Sequence, residues 1–426
     1  MKKLLSILIL VSLAMAFAQI KFGMNMRVRS ELQNLNSTDA DTQIYDKKAD
    51  LRFRPFVDYN INDNLIVKAV FEVGDIQFGT NPSADLGTDG INTETKNLYL
   101  SIIPNEDHKI TIGLLPYQDP HGFIFNADVA GILWNGRFNK YNVDLGWFAP
   151  YDLDEVNINE NTYSYGTTFF ALGLTYDLNE KVTLGLSNYL VFTREEYNIP
   201  VLTVNRDEVS IFVAPRVIGN YGKIKFDAQF VVNNRYYDYD VIDGDPATFS
   251  QPHDPDKTGT GFSLKSSFEV DSKLSLRANF LYRGCQTMYE NFETYAPFYD
   301  TGLEIINQTP DGIAERNPMD FDLYQELGVA LPSVFVDYKL KDNLTLTGGL
   351  GVFMFDQNYG KVSDAMYQGT EFDLKAKITM YESLDIIPYM AFFLPDVGYA
   401  RVMDLSNQDH PEDMIMKLGT TLKYCF

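Results

Sequence analysis

Two Arg-x-Arg pairs, Arg27 with Arg29 and Arg52 with Arg54, stand near the start of the 426-residue chain. Residues two apart in an extended strand project from one face. Each pair therefore sets two guanidinium groups side by side, a geometry that attracts carboxylates and other anions. Lys68, Lys225, Arg277, Lys375, Lys377, Lys417 and Lys423 fall on the corresponding face of later alternating segments. That face also carries Glu31, Asp50, Asp58 and Glu72, so cross-strand ion pairing is the competing use of these cations. Either way the chemistry is electrostatic: it orients and guides polar solutes and breaks no bonds.

Bond-breaking chemistry has little to build on. The chain has four His, namely His108, His121, His253 and His410. His121 lies beside Asp119, and His410 beside Asp409 and Glu412, but nothing fixes a nucleophile next to either pair. Asp238, Asp240, Asp243, Asp245, Asp254 and Asp256 crowd one segment without the twelve-residue spacing of an EF-hand loop, so a solvated acidic loop is expected there and no metal site. No cofactor is expected. A net charge of −23 argues against nucleic acid, which needs a basic face. Cys285 and Cys425 are too few for a disulfide scaffold and are expected at different heights as free thiols.

The elements that carry these residues read as strands. Lys223 to Asn233 places Ile224, Phe226, Ala228, Phe230 and Val232 on one side and Lys223, Lys225, Asp227, Gln229 and Asn233 on the other. The same theme recurs along the chain: a strand, a tiny turn rich in Asn, Asp or Ser, a second strand, then a longer irregular loop. The count is about eighteen strands, with sixteen also fitting. They include 20–33, 50–60, 141–150, 165–178, 182–194, 208–219, 223–235 and 413–426. The longest loop, from Gln286 to Phe321, is expected to be an external lid. Mean hydropathy of −0.18 is low for a helical membrane protein and ordinary for alternating strands. Aromatic content is 14%, with 27 Tyr, and Tyr suits a membrane interface.

The two ends add a cellular address. Lys2 and Lys3, the apolar run Leu4 to Phe17 and Ala16-Phe17-Ala18 make a secretory signal peptide over 1–18, with one domain expected over 19–426. At the other end Leu418, Thr420, Leu422, Tyr424 and Phe426 share one strand face, and Lys417, Gly419, Thr421, Lys423 and Cys425 share the other. This ending, with aromatic Tyr424 and terminal Phe426, resembles the carboxy-terminal signal of Gram-negative outer-membrane β-barrel proteins. It departs from that pattern at Thr420, where a larger apolar residue is usual.

In size, loop layout and Arg-lined wall the chain resembles the substrate-preferring porins, including the alginate-export and carboxylate-uptake types. The resemblance implies a closed antiparallel transmembrane barrel in the outer membrane that passes small hydrophilic solutes and is not an enzyme. A barrel hydrolase and a surface protein with a blocked lumen are the alternatives. It implies contact with outer-membrane lipid and lipopolysaccharide, insertion by the β-barrel assembly machinery reading Leu422, Tyr424 and Phe426, and a homo-trimer as a frequent assembly. In porins the third long loop folds into the lumen. That loop runs here from Leu115 to Asn126, so Asp119, His121 and nearby Asp128 would stand at the constriction. The competing expectation is a surface loop in which Pro and Gly merely set a turn.

Overall fold

The computed structural model describes residues 20–35, 44–78, 93–158, 161–199, 202–243, 256–284, 301–306, 328–355, 366–396 and 414–426. The leader at 1–18, Cys285, His253, His410 and most of the Gln286–Phe321 loop lie outside them. The strands are β1 (Ile20–Leu35), β2 (Ile44–Asn62), β3 (Leu65–Phe78), β4 (Thr93–Asn105), β5 (His108–Gln118), β6 (Asn126–Phe138), β7 (Tyr141–Ile158), β8 (Asn161–Asn179) and β9 (Val182–Ile199). They continue as β10 (Leu202–Tyr221), β11 (Ile224–Asp243), β12 (Lys257–Glu269), β13 (Leu274–Arg283), β14 (Val329–Lys341), β15 (Leu344–Phe355), β16 (Tyr367–Met380), β17 (Leu384–Pro395) and β18 (Ile415–Cys425). Each pairs antiparallel with its chain neighbours, and β18 pairs with β1, so a single 18-stranded sheet closes on itself. Closure removes every edge that would leave unpaired backbone groups in hydrocarbon.

The inner turns set the register. Asn62, Asn105, Asn179 and Asp271 each accept the backbone N–H two residues on, at 2.9, 3.0, 2.9 and 2.7 Å. That side-chain bond mimics a backbone turn and fixes where the next strand starts. Asp271 also accepts from Leu274 N–H at 2.9 Å, and these two donors hold its carboxyl below the usual value of 3.8. A depressed acid stabilises its turn above that value and loses the contribution as pH falls through the lowered one. Amide exchange at Lys273 and Leu274 should therefore quicken selectively below pH 3.8, while the barrel amides stay protected.

Alternation decides the two faces. Leu98, Phe170, Phe230, Val334 and Leu374 are exposed on the outside, while their chain neighbours Asn97, Phe169, Ala171, Gln229, Val231, Ser333, Phe335 and Asp373 are buried. Tyr141, Tyr221, Tyr338 and Tyr381 ring the inner turns, where an amphipathic ring meets the membrane boundary. At the seam the terminal Phe426 and Met24 exchange two backbone hydrogen bonds of 3.0 and 3.1 Å. Cys425 is a free, exposed thiol there.

One expectation is met and two are corrected. The strand count is eighteen, the number expected, and the alternative of sixteen falls away. Strands β7 to β11 run for 18 to 20 residues, well past the ends expected near 150, 165, 194, 208 and 235. Beyond the bilayer both faces meet water, so the apolar alternation that marks a strand disappears while backbone pairing continues, as at Val156↔Tyr163 and Leu202↔Ile199. Asp238, Asp240 and Asp243 accordingly belong to β11 and not to a loop. The second correction is that residues 301–306 of the expected external lid lie buried inside the barrel, with Leu303, Ile305 and Ile306 each 1% exposed.

Candidate lumen site

The segment between β5 and β6 turns inward, with His121, Phe123, Ile124 and Phe125 buried. Asp119 organises it. One carboxylate oxygen accepts the N–H groups of Phe123, Ile124 and Phe125 at 2.7, 2.7 and 2.8 Å, and the other accepts from His121 N at 3.2 Å. Gly122 supplies the left-handed turn, with φ +64°. Apolar burial holds the rest: Phe125 stacks on Phe169 at 4.2 Å, and Tyr117 lies 4.4 Å from Phe148. Tyr189 and Phe212 complete this packing, so the loop seals itself against the β5–β10 wall.

The tip of the loop is fastened across the lumen. His121 Nε2 lies 2.8 Å from Asp227 Oδ1 on β11, and Nδ1 lies 2.8 Å from Ser263 Oγ on β12. Arg216 grips Asp227 through Nε at 2.7 Å and through a second guanidinium nitrogen. Lys265 Nζ reaches His121 O at 3.4 Å, and the Arg283 guanidinium lies over the Phe123 ring. The order Asp-His-Ser invites comparison with a hydrolytic triad. Ser263 is fully buried, however, so its hydroxyl meets no solute in this arrangement. The constellation is a latch. Asp119 takes no part in it, because its oxygens are committed to backbone N–H groups.

Residues 301–306 form a second infolded segment built on the same device. Glu371 on β16 accepts the N–H groups of Glu304, Ile305 and Ile306 at 2.8, 2.7 and 2.6 Å. Lys375 bonds Gly302 O at 2.7 Å and Glu304 at 2.5 Å, and Lys417 bonds Glu304 O at 3.2 Å. Leu303 fills the space left by Gly351 on the inward face of β15, where any Cβ would collide with it. Glycines inside a strand mark such close approaches, and Gly351 is the sequence signal for this contact.

The basic residues divide into three groups. At the seam Arg27 and Arg29 both bind Asp50, at 3.3 and 2.5 Å, and Arg54 binds Glu72. Arg52 faces Arg27 across the β1–β2 ladder and is 6% exposed. Lys68 pairs with Asp58 at 3.4 Å. The second group, Lys375 and Lys417, holds the second segment as described, with Lys417 also 3.4 Å from Glu31. The third lies near the inner turns. Lys377 is 2.8 Å from Asp385, which pairs in register with Lys423 on the next strand. Lys225 is 3.2 Å from Glu269, and Arg277 binds Asp337 at 2.6 and 3.0 Å.

Lys225 and Arg277 also line one cavity of about 500 Å³ together with Asp227, Lys265, Asn279 and Gly302. It touches the foot of the His121 latch and the tip of the second segment. Asp128 is not in the infolded loop: it stands on β6 opposite Pro116 and accepts from Lys96 at 2.5 Å and Asn97 at 2.7 Å. Sequence reading missed Ser263, Lys265 and the latch role of Asp227, and it missed Glu371, because their partners lie 65 to 144 residues away.

A closed barrel with an apolar exterior, a charged interior and loops folded into the lumen defines a transmembrane β-barrel. Its fold is similar to that of outer-membrane porins of Pseudomonas aeruginosa. The OccK9 (OpdG) structure is 11% identical with a TM-score of 0.56, covering 96% of this chain and 99% of that one. OccK2 (OpdF) in complex with glucuronate is 10% identical with a TM-score of 0.54, covering 96% of each chain. OpdK with vanillate is 11% identical with a TM-score of 0.50, covering 95% and 98%. At such identities the likeness is one of fold. No family model matches the chain, and no curated protein matches its sequence.

Proposed function

We propose that the chain is an outer-membrane porin through which small hydrophilic solutes diffuse passively, anions and above all small carboxylates being preferred. The observation that carries this reading is the cavity of about 500 Å³ between the two infolded segments, where Lys225, Lys265, Arg277 and Asn279 gather around one acid, Asp227. That volume lies within the range of small-molecule sites. Glucuronate and vanillate, the ligands of two structures with this fold, are both small carboxylates, which supports the substrate class. In this reading Arg27, Arg29, Arg52 and Arg54 guide anions along the seam, and the Asp119–His121 loop sets the constriction. The 1–18 leader exports the chain, the assembly machinery reads Leu422, Tyr424 and Phe426, and lipid with lipopolysaccharide surrounds the apolar belt.

The test is single-channel recording of the refolded protein in planar bilayers, with reversal potential measured across a KCl gradient and glucuronate added as competitor. The expected result is open steps with anion preference and a chloride current reduced by glucuronate. Cation preference would overturn the anion reading. A correctly folded barrel without conductance would overturn the porin reading and favour a hydrolase or a surface protein with a blocked lumen.

A further inference from the structure

A tyrosine on the inner wall reaches across an entire strand. Tyr389 on β17 stands in register beside Gly419 on β18, and Gly419 stands in register beside Glu31 on β1. The Tyr389 hydroxyl nevertheless donates a hydrogen bond to the Glu31 carboxylate. The ring can cross because β18 carries no side chain at that point: a Cβ on Gly419 would collide with the Tyr389 hydroxyl oxygen. Side-chain contacts within a sheet ordinarily link adjacent strands. This one skips β18 and ties the first strand to the seventeenth, with Tyr389 only 7% exposed.

The crossing falls at the seam, the strand pair in which opposite ends of the chain meet, and the second infolded segment lies against it. Lys417, two residues before Gly419 on the same inward face, donates to the Glu304 carbonyl at 3.2 Å. Its ammonium also stands 3.4 Å from Glu31 and 5.9 Å from the centre of the Tyr389 ring. The segment itself is a compact unit. The Thr301 hydroxyl donates to Ile306 O at 2.6 Å and accepts the Leu303 N–H at 3.2 Å. Anchored on β15 by Leu303 and on β16 by Glu371, it therefore extends to β18 and, through Lys417 and Glu31, to β1.

We propose that Tyr389, Gly419 and Glu31 form a brace that locks the barrel seam, and that the 301–306 segment is its cap. Seating the segment and closing the seam are then one cooperative step. A strand ladder opens locally, bond by bond, wherever nothing else ties it down. A side chain bonded across two ladders must let go before the seam can open, and its release leaves a hydrogen bond to a charged group unmade. The cap depends on the seam in turn. Glu31 arrives only with β1, and without it Lys417 has no carboxylate to fix it beneath Glu304. The segment therefore seats after β1 has met β18. This inference is independent of what the lumen transports.

The test is amide hydrogen exchange of the full barrel in nanodiscs, read by mass spectrometry on β1 and β18 with β8 to β10 as the internal control. Tyr389→Phe keeps the ring and removes the hydroxyl. Glu371→Ala frees the segment without touching β18 or β1. Each should speed exchange at residues 28–32 and 418–422 by about tenfold or more, the factor that one lost hydrogen bond to a charged group represents. The control strands should stay protected. Tyr389→Phe should also speed exchange at residues 304–306, although its hydroxyl bonds none of them. Heat-modifiable electrophoretic mobility checks that each variant is a folded barrel. Unchanged seam exchange in Tyr389→Phe would overturn the brace. In Glu371→Ala, free exchange at 304–306 beside an unchanged seam would overturn the cap. Faster exchange spread evenly over β8 to β10 would overturn both, since the loss would then be global.

Discussion

Replacing Asp119 with Ala should release the infolded loop and raise single-channel conductance severalfold, whereas Asp119→Asn should keep it near wild type. The two variants differ in one respect. Ala removes the oxygen that receives Phe123, Ile124 and Phe125 N–H at 2.7 to 2.8 Å, while Asn retains a carbonyl there. Hydrogen bonds to a charged group are worth about 1.5–3 kcal/mol each, and a buried donor left without a partner costs a similar amount. Three such donors outweigh the His121 latch, which would then hold a loop with no internal frame. Limited proteolysis between Tyr117 and Asn126, measured beside conductance, reports the release. A cut loop with unchanged conductance would show that the passage runs elsewhere in the lumen. An uncut loop with unchanged conductance would show that aromatic packing alone holds the fold of the segment.

The contrast between the two infolded segments explains what could be read in advance. Both are held by one buried carboxylate that receives three consecutive backbone N–H groups. In the first, Asp119 lies four to six residues before its donors. In the second, Glu371 is 65 to 67 residues after them. A local Asp-Pro-His-Gly turn leaves a mark in sequence; a carboxylate from another strand does not. The strands were legible for a related reason, since hydrocarbon outside and water inside impose alternation on each spanning stretch. Where β7 to β11 leave the bilayer that constraint ends, and pairing continues with no compositional trace. The inward direction of Arg27, Arg29 and Arg52 followed from the same parity, and they are 2%, 7% and 6% exposed. The shared dependence of Arg27 and Arg29 on Asp50 required the register of β1 against β2, where Arg29 faces Asp50.

That register determines what removal of the seam cations should do. Arg27 and Arg29 bind Asp50 and Arg54 binds Glu72, so two carboxylates hold three of the four seam guanidinium groups. Changing all four Arg to Ala removes four positive charges and leaves the carboxylates of Asp50 and Glu72 in that wall. A unit charge at about 4 Å in water contributes about 1 kcal/mol, which is roughly a fivefold change in relative ion occupancy. The reversal potential across a KCl gradient should move toward cation preference by about that ratio. The same variant strands Asp50, which is 1% exposed, without its guanidinium partners. Breaking a buried pair by removing one partner costs about 3–5 kcal/mol, so the barrel should also unfold at lower denaturant concentration. Adding Asp50→Asn and Glu72→Gln separates the two effects, because it removes the stranded carboxylates. The six-fold variant should recover most of the lost stability while its selectivity falls between wild type and the four-Arg variant. Recovered stability with an unmoved reversal potential in both variants would assign the seam to structure alone, leaving selectivity to Lys225, Lys265 and Arg277 at the inner cavity.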